Sequence, residues 1–422
     1  MPKLLRLAAA VLAAALLVGA FAPMSAGATT GASAEQEGVA QAAQRDDEVI
    51  LLLNTGYIII EDPHVPAGNE PATWTSPQSG WSYVSTGDFN GDGDHEIIAL
   101  GGGRAKIYDP FPIGGTSVNF DVNISPRNWT KALGADIDLD GRDELILLRD
   151  DYNVASNIYG RLVIYDGNAN GSQWTVIQDI PYGTQWLDVA AGNFLGDQRA
   201  ELVLVRQQTP TTEGLILVMN AQTGQTISQE TFGYYFHAVA TGDFDKNGYD
   251  EIAAVRDVIS IHGSNVVVLR VKGVNQGFET LESLKAGTAF MWVSAGEYDG
   301  DGADEISLLR NVPSAYKGLY GMDLYGPRIT LNEVRAEGWT DLQSGDINAD
   351  GLEEVLILKS NLARAYRVSP VSIIWSKSGN YKSVFAVADV DGEGVVRGPS
   401  LAVSPTTLSF QMNYGGSAPP AR

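Results

Sequence analysis

Residues 87–100 read Gly87-Asp-Phe-Asn-Gly-Asp-Gly-Asp-His-Glu96-Ile-Ile-Ala-Leu100, an acidic turn broken by glycine that runs straight into an apolar, β-branched stretch. Counting from Asp88, oxygen-bearing side chains stand at positions one, three and five, glycine at six and an acid at nine. The pattern returns from Asp136, Asn193, Asp243, Glu297, Asp346 and Asp389, at intervals of 43 to 57 residues. Self-similarity at a period near 50 marks a repeat architecture, and the rest of the chain is read in its light.

Outward from each loop the surroundings repeat as well. Behind it come runs such as Ile97–Leu100, Leu145–Leu148 and Val355–Leu358, then a turn and a second run such as Arg161–Tyr165 or Asn265–Arg270. Ahead of it lies a short strand ending in a small residue: Gly87, Ala135, Gly192, Gly242, Gly296, Gly345 or Ala388. Short β-branched runs, glycine-marked turns and no helical periodicity beyond the N-terminal segment define an all-β chain. Roughly 50 residues and four antiparallel strands per unit fit the blades of a β-propeller, not a helical solenoid. The fourth residue before each loop is apolar (Val84, Ala132, Val189, Val239, Val293, Leu342, Phe385), and the three nearer the loop are mostly small. Strands crowded around an axis need that arrangement.

Seven inner strands carry a loop, yet the following strand pair occurs eight times if Val49–Leu53 with Tyr57–Ile60 and Leu401–Val403 with Leu408–Met412 both count. Either the ends interlock in a seven-bladed ring, with N-terminal strands completing the last blade, or a loop-less eighth blade leads. Seven is the expected count.

Alternating acids converge oxygens on one point, glycine permits the sharp turn, and a backbone carbonyl at position seven adds a ligand, which suits Ca²⁺ better than Mg²⁺ or a transition metal. One copy could equally be a solvated Asp/Asn turn. Seven in register read as metal loops, and more than half of the 51 acidic residues lie in their nine-residue windows. An EF-hand would need Glu at position twelve and flanking helices, but Ala99, Leu147, Ala254, Leu308 and Ile357 stand there, within strands.

The text Gly-Asp-Phe-Asn-Gly-Asp-Gly from Gly87 and Gly-Asp-Phe-Asp-Lys-Asn-Gly from Gly242 resembles the FG-GAP/VCBS repeat family, the propeller of integrin α subunit N-termini and of many secreted bacterial proteins. The resemblance covers about Asp46 to Met412. Carried over by position, it implies Ca²⁺ ligands Asp88, Asn90, Asp92 and Glu96; Asp136, Asp138, Asp140 and Glu144; Asp243, Asp245, Asn247 and Glu251; Glu297, Asp299, Asp301 and Glu305; and Asp346, Asn348, Asp350 and Glu354. The carbonyls of Asp94, Arg142, Tyr249, Ala303 and Leu352 would complete those five shells. Two loops depart. The one from Asn193 has Leu195 at three and Gln198 at six and is expected to bind no metal. The last keeps Asp389, Asp391 and Glu393, but Arg397 stands at nine, so its site is expected to be weak.

Composition bounds the remaining choices. A net charge of −23 with no basic stretch excludes a nucleic-acid surface, and zero cysteine excludes disulfides and thiolate chemistry. Met1-Pro-Lys3-Leu-Leu-Arg6, the Ala/Leu-rich run to about Ala22 and Ala26-Gly-Ala28 read as a signal peptide over 1–28; the other reading is a membrane anchor, for which the run is short. Residues 29–45 are a flexible leader, 46–412 the propeller and 413–422 a disordered tail. The expectation is a monomer, secreted or held in the cell envelope, with no membrane insertion after signal removal.

Seven residues before each loop stand Trp81, Trp129, Trp186, Phe236, Phe290 and Trp339, with Lys382 beside Tyr381 breaking the series. Such a ring could stack on sugars or grip a protein, or it could pack between blades. His64, His95, His237 and His262 occupy unrelated places, and His95, at the eighth position of its loop, is expected to be solvated. No nucleophile elbow or zinc-helix motif occurs. The chain is therefore read as a calcium-stabilised binding or adhesion module for an extracellular glycan or protein, with no catalytic residues assigned. The alternative is a propeller-based polysaccharide lyase or hydrolase, which a charged and aromatic cluster in one deep pocket would favour.

Overall fold

A computed structural model describes residues 46–64, 74–111, 118, 120–124, 129–149, 160–168, 173–181, 186–208, 213–233, 236–256, 264–287, 290–310, 318–324 and 338–392. The expected signal peptide, leader and tail, the runs at 401–403 and 408–412, Glu393, Arg397 and His262 lie outside these residues. Every described element is a strand, and no helix among the described residues is long and apolar enough to cross a membrane.

In chain order, β1 (Glu48–Leu53) and β2 (Ile58–Glu61) come first. Blade 1 is β3 (Tyr83–Gly87), β4 (Glu96–Gly101), β5 (Arg104–Tyr108) and β6 (Phe120–Asn123). Blade 2 is β7 (Lys131–Ala135), β8 (Glu144–Arg149), β9 (Arg161–Gly167) and β10 (Trp174–Pro181). Blade 3 is β11 (Trp186–Gly192), β12 (Glu201–Gln208), β13 (Glu213–Met219) and β14 (Thr226–Phe232); blade 4 is β15 (Phe236–Gly242), β16 (Glu251–Arg256), β17 (Ser264–Val271) and β18 (Phe278–Gly287). Blade 5 shows β19 (Phe290–Gly296), β20 (Glu305–Arg310) and β21 (Leu319–Met322), and blade 6 has β22 (Trp339–Gly345), β23 (Glu354–Lys359), β24 (Leu362–Arg367) and β25 (Ser372–Ser378). The last inner strand, β26 (Tyr381–Ala388), pairs antiparallel with β1, Glu48 opposite Ala388 and Ile50 opposite Ala386, and β2 follows β1 outward.

Seven sheets therefore make seven blades, and both ends of the folded region build the seventh. The inner strands touch in the order β3, β7, β11, β15, β19, β22, β26 and back to β3, which closes the ring. The interlocked count of seven holds, with no separate eighth blade among the described residues.

The second strand of each blade is apolar on both faces because each face meets a neighbouring blade. Leu145 and Leu147 pack with Phe89 and Ile98 toward blade 1, while Ile146 and Leu148 pack with Leu202 and Leu204 toward blade 3. The runs read as continuous rather than alternating for that reason. One such cluster fills each of the seven blade interfaces. Full burial of a Leu or Ile side chain contributes about 1.5–3 kcal/mol, so the ring is held mainly between blades.

The aromatic series belongs to this packing. Trp81, Trp129, Trp186, Phe236, Phe290 and Trp339 are all buried, one in each of six interface clusters, and Tyr381 supplies the seventh. Tyr381 replaces Lys382 because β26 carries one more residue in its bulge: Tyr381 pairs with Leu53, as Trp186 pairs with Arg206 in blade 3. Cationic groups from the second strands cap several rings, with Arg149 5.0 Å from the Trp129 centroid and Arg310 4.5 Å from Phe290. A buried ring offers no stacking face to a ligand, so these residues act as inter-blade wedges.

The loops also clasp neighbouring blades. The backbone N–H of each eighth residue donates to the carbonyl of the first residue of the preceding loop, as from Asp143 to Asp88 at 2.7 Å, Asp250 to Asn193 at 3.0 Å and Glu353 to Glu297 at 2.9 Å. Asp47 to Asp346 at 2.8 Å and His95 to Asp389 at 2.7 Å carry the pattern across the closure. His95 is accordingly half-buried in a clasp, not solvated. In several copies an acid side chain returns a second bond: Asp143 Oδ2 accepts from Asp88 N at 2.9 Å, Asp304 Oδ2 from Asp243 N at 3.0 Å, and Asp47 Oδ2 from Asp346 N at 2.8 Å.

Candidate cation sites and axial cavity

Each loop is shaped by its own carboxylates. Asp136 Oδ1 accepts from Leu139 N at 2.7 Å and Oδ2 from Gly141 N at 3.1 Å; Asp140 Oδ1 accepts from Arg142 N at 3.0 Å. The ninth residue reaches back under the turn, Glu144 Oε2 accepting from Ile137 N at 2.9 Å and Glu305 Oε2 from Tyr298 N at 2.7 Å. Position six is left-handed in the six loops where it is described, which explains its glycines, for example Gly141 at φ 82° and Gly302 at 84°. Position four is left-handed too, including Leu139, Lys246 and Ala349, a constraint the motif did not reveal.

Carboxylate oxygens converge within 4.8 Å in three of the expected loops: Asp136, Asp138 and Glu144; Asp243, Asp245 and Glu251; Glu297, Asp299, Asp301 and Glu305. In the loops of blades 1 and 6 an asparagine holds the third position, and Asn90 and Asn348 Nδ2 donate to Glu96 and Glu354 Oε1 at 2.6 and 2.5 Å. Asp88 and Asp346 spend their oxygens largely on turn amides, and Asp92, Asp350 and Asn247 lie at the rims. Of the carbonyl-donor residues, Asp94 and Ala303 are buried and Tyr249 is exposed.

The seventh loop is completed by a residue the motif did not find. Glu48, at the start of β1, occupies the place of a ninth residue: its Oε2 accepts from Val390 N at 2.8 Å, and it converges with Asp389 and Asp391. A second grouping joins Asp46, Glu48 and Asp62. Glu48 thus takes the place the motif gave to the ninth residue, and the site expected to be weak has its acid from β1. The loop from Asn193 keeps the turn, with Asn193 Oδ1 accepting from Gly196 N at 2.8 Å, but contributes no acid cluster among the described residues.

Across the ladder from each ninth-position glutamate stands one residue at the end of the third strand or just beyond it. The pairings Val49 with Glu61, Ile97 with Tyr108, Leu145 with Tyr165 and Ile306 with Met322 place Asp62, Asp109, Asp166 and Asp323 there. The pairings Ile252 with Leu269 and Val355 with Tyr366 place Arg270 and Arg367 there instead, and Leu202 with Met219 places Asn220. The signal was present in the sequence as an acid or arginine at the end of the third strand in six of the seven blades.

Burial raises every ninth-position acid, and neighbouring charges set how far. Glu48 is pushed up to about 10 by burial and by Asp391, Glu96 to about 9 by burial and Asp109, and Glu144 and Glu305 to about 8. Burial lifts Glu251 and Glu354 to about 7, with side-chain bonds from Asn247 and Asn348 holding them down, and lifts Glu201 to about 7 as well. Buried carboxyls this crowded are costly without a compensating cation. Among described atoms, Glu305 Oε1, Glu354 Oε2, Glu251 Oε2 and Asp245 Oδ1 are buried with no hydrogen-bond partner. Oxygen donors in that state fit a Ca²⁺ ion.

Away from the loops, inner strands β3, β7, β11, β15, β19 and β22 line a cavity of about 390 Å³. Here the repetition breaks. Five residues before successive loops stand Tyr83, Lys131, Asp188, Ala238, Trp292, Asp341 and Val384. Lys131 Nζ lies 2.9 Å from Asp188 Oδ1, while Asp188 Oδ2 accepts from Val239 N and Asp341 Oδ2 from Phe385 N, both at 3.1 Å. Burial pushes Asp341 up to about 7 although Lys131 pulls it down. Burial would depress the Lys131 ammonium, but Asp188 and Tyr83 outweigh it and hold it above its ordinary value.

The fold and these sites define a seven-bladed β-propeller with acidic inter-strand loops. No family model matches the chain, and no curated protein matches it in sequence. Among solved structures it is similar to an Agrocybe aegerita lectin that recognises non-reducing terminal N-acetylglucosamine, with TM-score 0.53 and 11% identity over 83% of this chain and 96% of that one. It is also similar to Saccharomyces cerevisiae Sqt1, with TM-score 0.51 and 11% identity over 80% and 87%. The rhamnogalacturonan lyase YesW aligns at TM-score 0.40 and 16% identity over 81% and 69%.

Proposed function

We propose that the chain is a secreted, calcium-stabilised propeller of the FG-GAP/VCBS type that binds an extracellular glycan or protein through its axial cavity. The observation that carries the binding role is the break in repetition there. Packing makes equivalent positions alike around a ring, as the buried aromatic series illustrates, so a lysine and two acids at one position, lining the cavity with Tyr83 and a half-buried Trp292, answer to something other than apolar packing. A cavity of about 390 Å³ suits a saccharide unit or one inserted side chain. The Agrocybe aegerita lectin makes a glycan the first ligand class to test. Calcium's part is structural: bound only by the folded loops, it stabilises the ring by mass action.

A polysaccharide lyase or hydrolase is the second reading. Asp341, held near 7 in the same cavity as Lys131, has the protonation range of a general base. One experiment separates the two: an oligosaccharide binding screen run with Ca²⁺ and with chelator, scoring product release in the same wells. Retention lost in chelator or in Lys131→Ala, without turnover, supports the binder, and depolymerisation abolished by Asp341→Asn supports the enzyme. An unchanged melting curve in excess chelator would defeat the calcium assignment.

A further inference from the structure

We propose that a cavity at the seam of blades 6, 7 and 1 binds an anionic group carried on a hydroxylated ring, the carboxylate of a uronic acid or the sulfate of a sulfated sugar, with Lys382 as its counter-charge. The inference deepens the glycan reading and rests on it. The cavity, of about 340 Å³, lies at the end of the inner strands away from the loops and falls in the range of small-molecule sites, about 300–1,000 Å³. Ser82 and Thr340 in its lining directly precede Tyr83 and Asp341 of the axial cavity, so the two spaces are neighbours along the inner strands.

The seam departs from the repeat in a way that leaves room. Across the ladder from the wedge aromatics of blades 3 to 6 stand Arg206, Arg256, Arg310 and Lys359. In the seventh blade Leu53 stands there instead, with Asn54 next, and in blade 1 the second strand ends at Gly101. A Cβ on Gly101 would come within 2.4 Å of Gly80 O, so no side chain can enter from that strand. Short polar residues and one lysine from the inner strand border the space that remains.

That lysine supplies the charge. Lys382 is half-buried, and its Nζ donates across the seam to Trp81 O. An ammonium has three donors, so ligand oxygens can take the rest. No acid lines the cavity, and among the described residues Lys382 forms no ion pair, unlike Lys131 with Asp188, Lys246 with Asp301 and Lys377 with Glu61. Ser82 Oγ and Thr340 Oγ1 donate to Leu100 O and Leu358 O at 3.1 and 3.2 Å, which leaves their lone pairs for the hydroxyls of a sugar. Exposed Ser360 and Ser383 add hydroxyls that can donate to an anion. The acidic loops lie at the other end of β26, whose 8 residues span roughly 26 Å, about three Debye lengths at physiological salt, so their repulsion is screened here.

The test is calorimetric titration of the full chain in Ca²⁺ with tetraglucuronate and its methyl ester, and with sulfated and unsulfated tetraglucose. Wild type should prefer the charged member of one pair about tenfold or more, and which pair it is tells carboxylate from sulfate. Lys382→Gln should erase that preference and Lys382→Arg keep most of it, with melting temperatures in Ca²⁺ close to wild type. Where Lys382→Gln fails to fold, the charged sugar should still shield Lys382 of the wild type from reductive methylation, read by mass spectrometry. An undiminished preference in folded Lys382→Gln would make Lys382 only a stitch to Trp81 and overturn the site, as would absent shielding or a preference lost in Lys131→Ala alone. Sugars bound without regard to charge would overturn it too, leaving the glycan reading intact. No retention of any of these sugars would remove both.

Discussion

Gln198 occupies the sixth position of its loop with φ 73°, where the equivalent residues Gly93, Gly141, Gly248, Gly302 and Gly351 have φ between 82° and 92°. A side chain in that region costs about 1–2 kcal/mol, partly offset because glycine loses more freedom on folding. Gln198→Gly should therefore raise the melting temperature slightly, by roughly one or two degrees; a drop would mean that the glutamine side chain makes a contact worth more than the strain. The converse change, Gly141→Ala, should destabilise the blade 2 loop. Positions one, three, five, six and nine were legible because their chemistry is in the side chain. Position four was not, because Leu139, Lys246 and Ala349 bear a backbone constraint with no residue type to announce it. The aromatic series was visible but ambiguous, since a ring at a strand start can face a neighbour blade or water, and only burial separates the two.

Among elements, the clasps decide how blades hold together at their loop end. Asp143→Ala leaves Asp88 N without its acceptor at a part-buried site and should cost about 1–3 kcal/mol in thermal or denaturant unfolding, whereas Asp143→Asn keeps an acceptor oxygen and should recover most of it. Clasp acids also set a pH dependence. Burial pushes Asp143 up to about 7, Glu353 to about 8 and Asp47 to about 6, while their unfolded values stay near 4. A raised acid pKa means that the fold retains protons the unfolded chain has released, so this contribution is complete below about pH 4 and is lost as pH rises through 6 to 8. Metal-stripped protein should thus melt at lower temperature at pH 8 than at pH 5, and a flat or rising profile would contradict the assignment. Strands were readable from continuous apolar runs such as Leu145–Leu148, whose two faces each meet a blade. The partner of the ninth glutamate was not, because ladder pairing brings Asp166 beside Glu144 across 22 residues of sequence that the repeat motif does not span.

At the scale of the molecule, one pairing turns a row of blades into a ring. Removing residues 46–61 takes away β1 and β2, exposes the edge of β26 and deletes Glu48 from the seventh loop. An open inner edge of this kind invites pairing with other chains, so the truncated protein should elute as aggregate in size-exclusion chromatography and lose cooperative melting; a monomer with wild-type melting would show that closure is dispensable. Blade number was the hardest quantity to read, because the pair at Val49–Leu53 and Tyr57–Ile60 looks like a blade beginning rather than a blade ending. The same pairing imposes an order of events. Of the described strands, synthesis delivers β1 first and β26 last, with Glu48 and Val390 separated by 342 positions. Six blades can assemble as they emerge, each against the one before, while the oldest strand waits without its partner. Among the described blades, the seventh is therefore the one whose formation reports that all the others have been made, and its completion converts an open, growing stack into a closed ring.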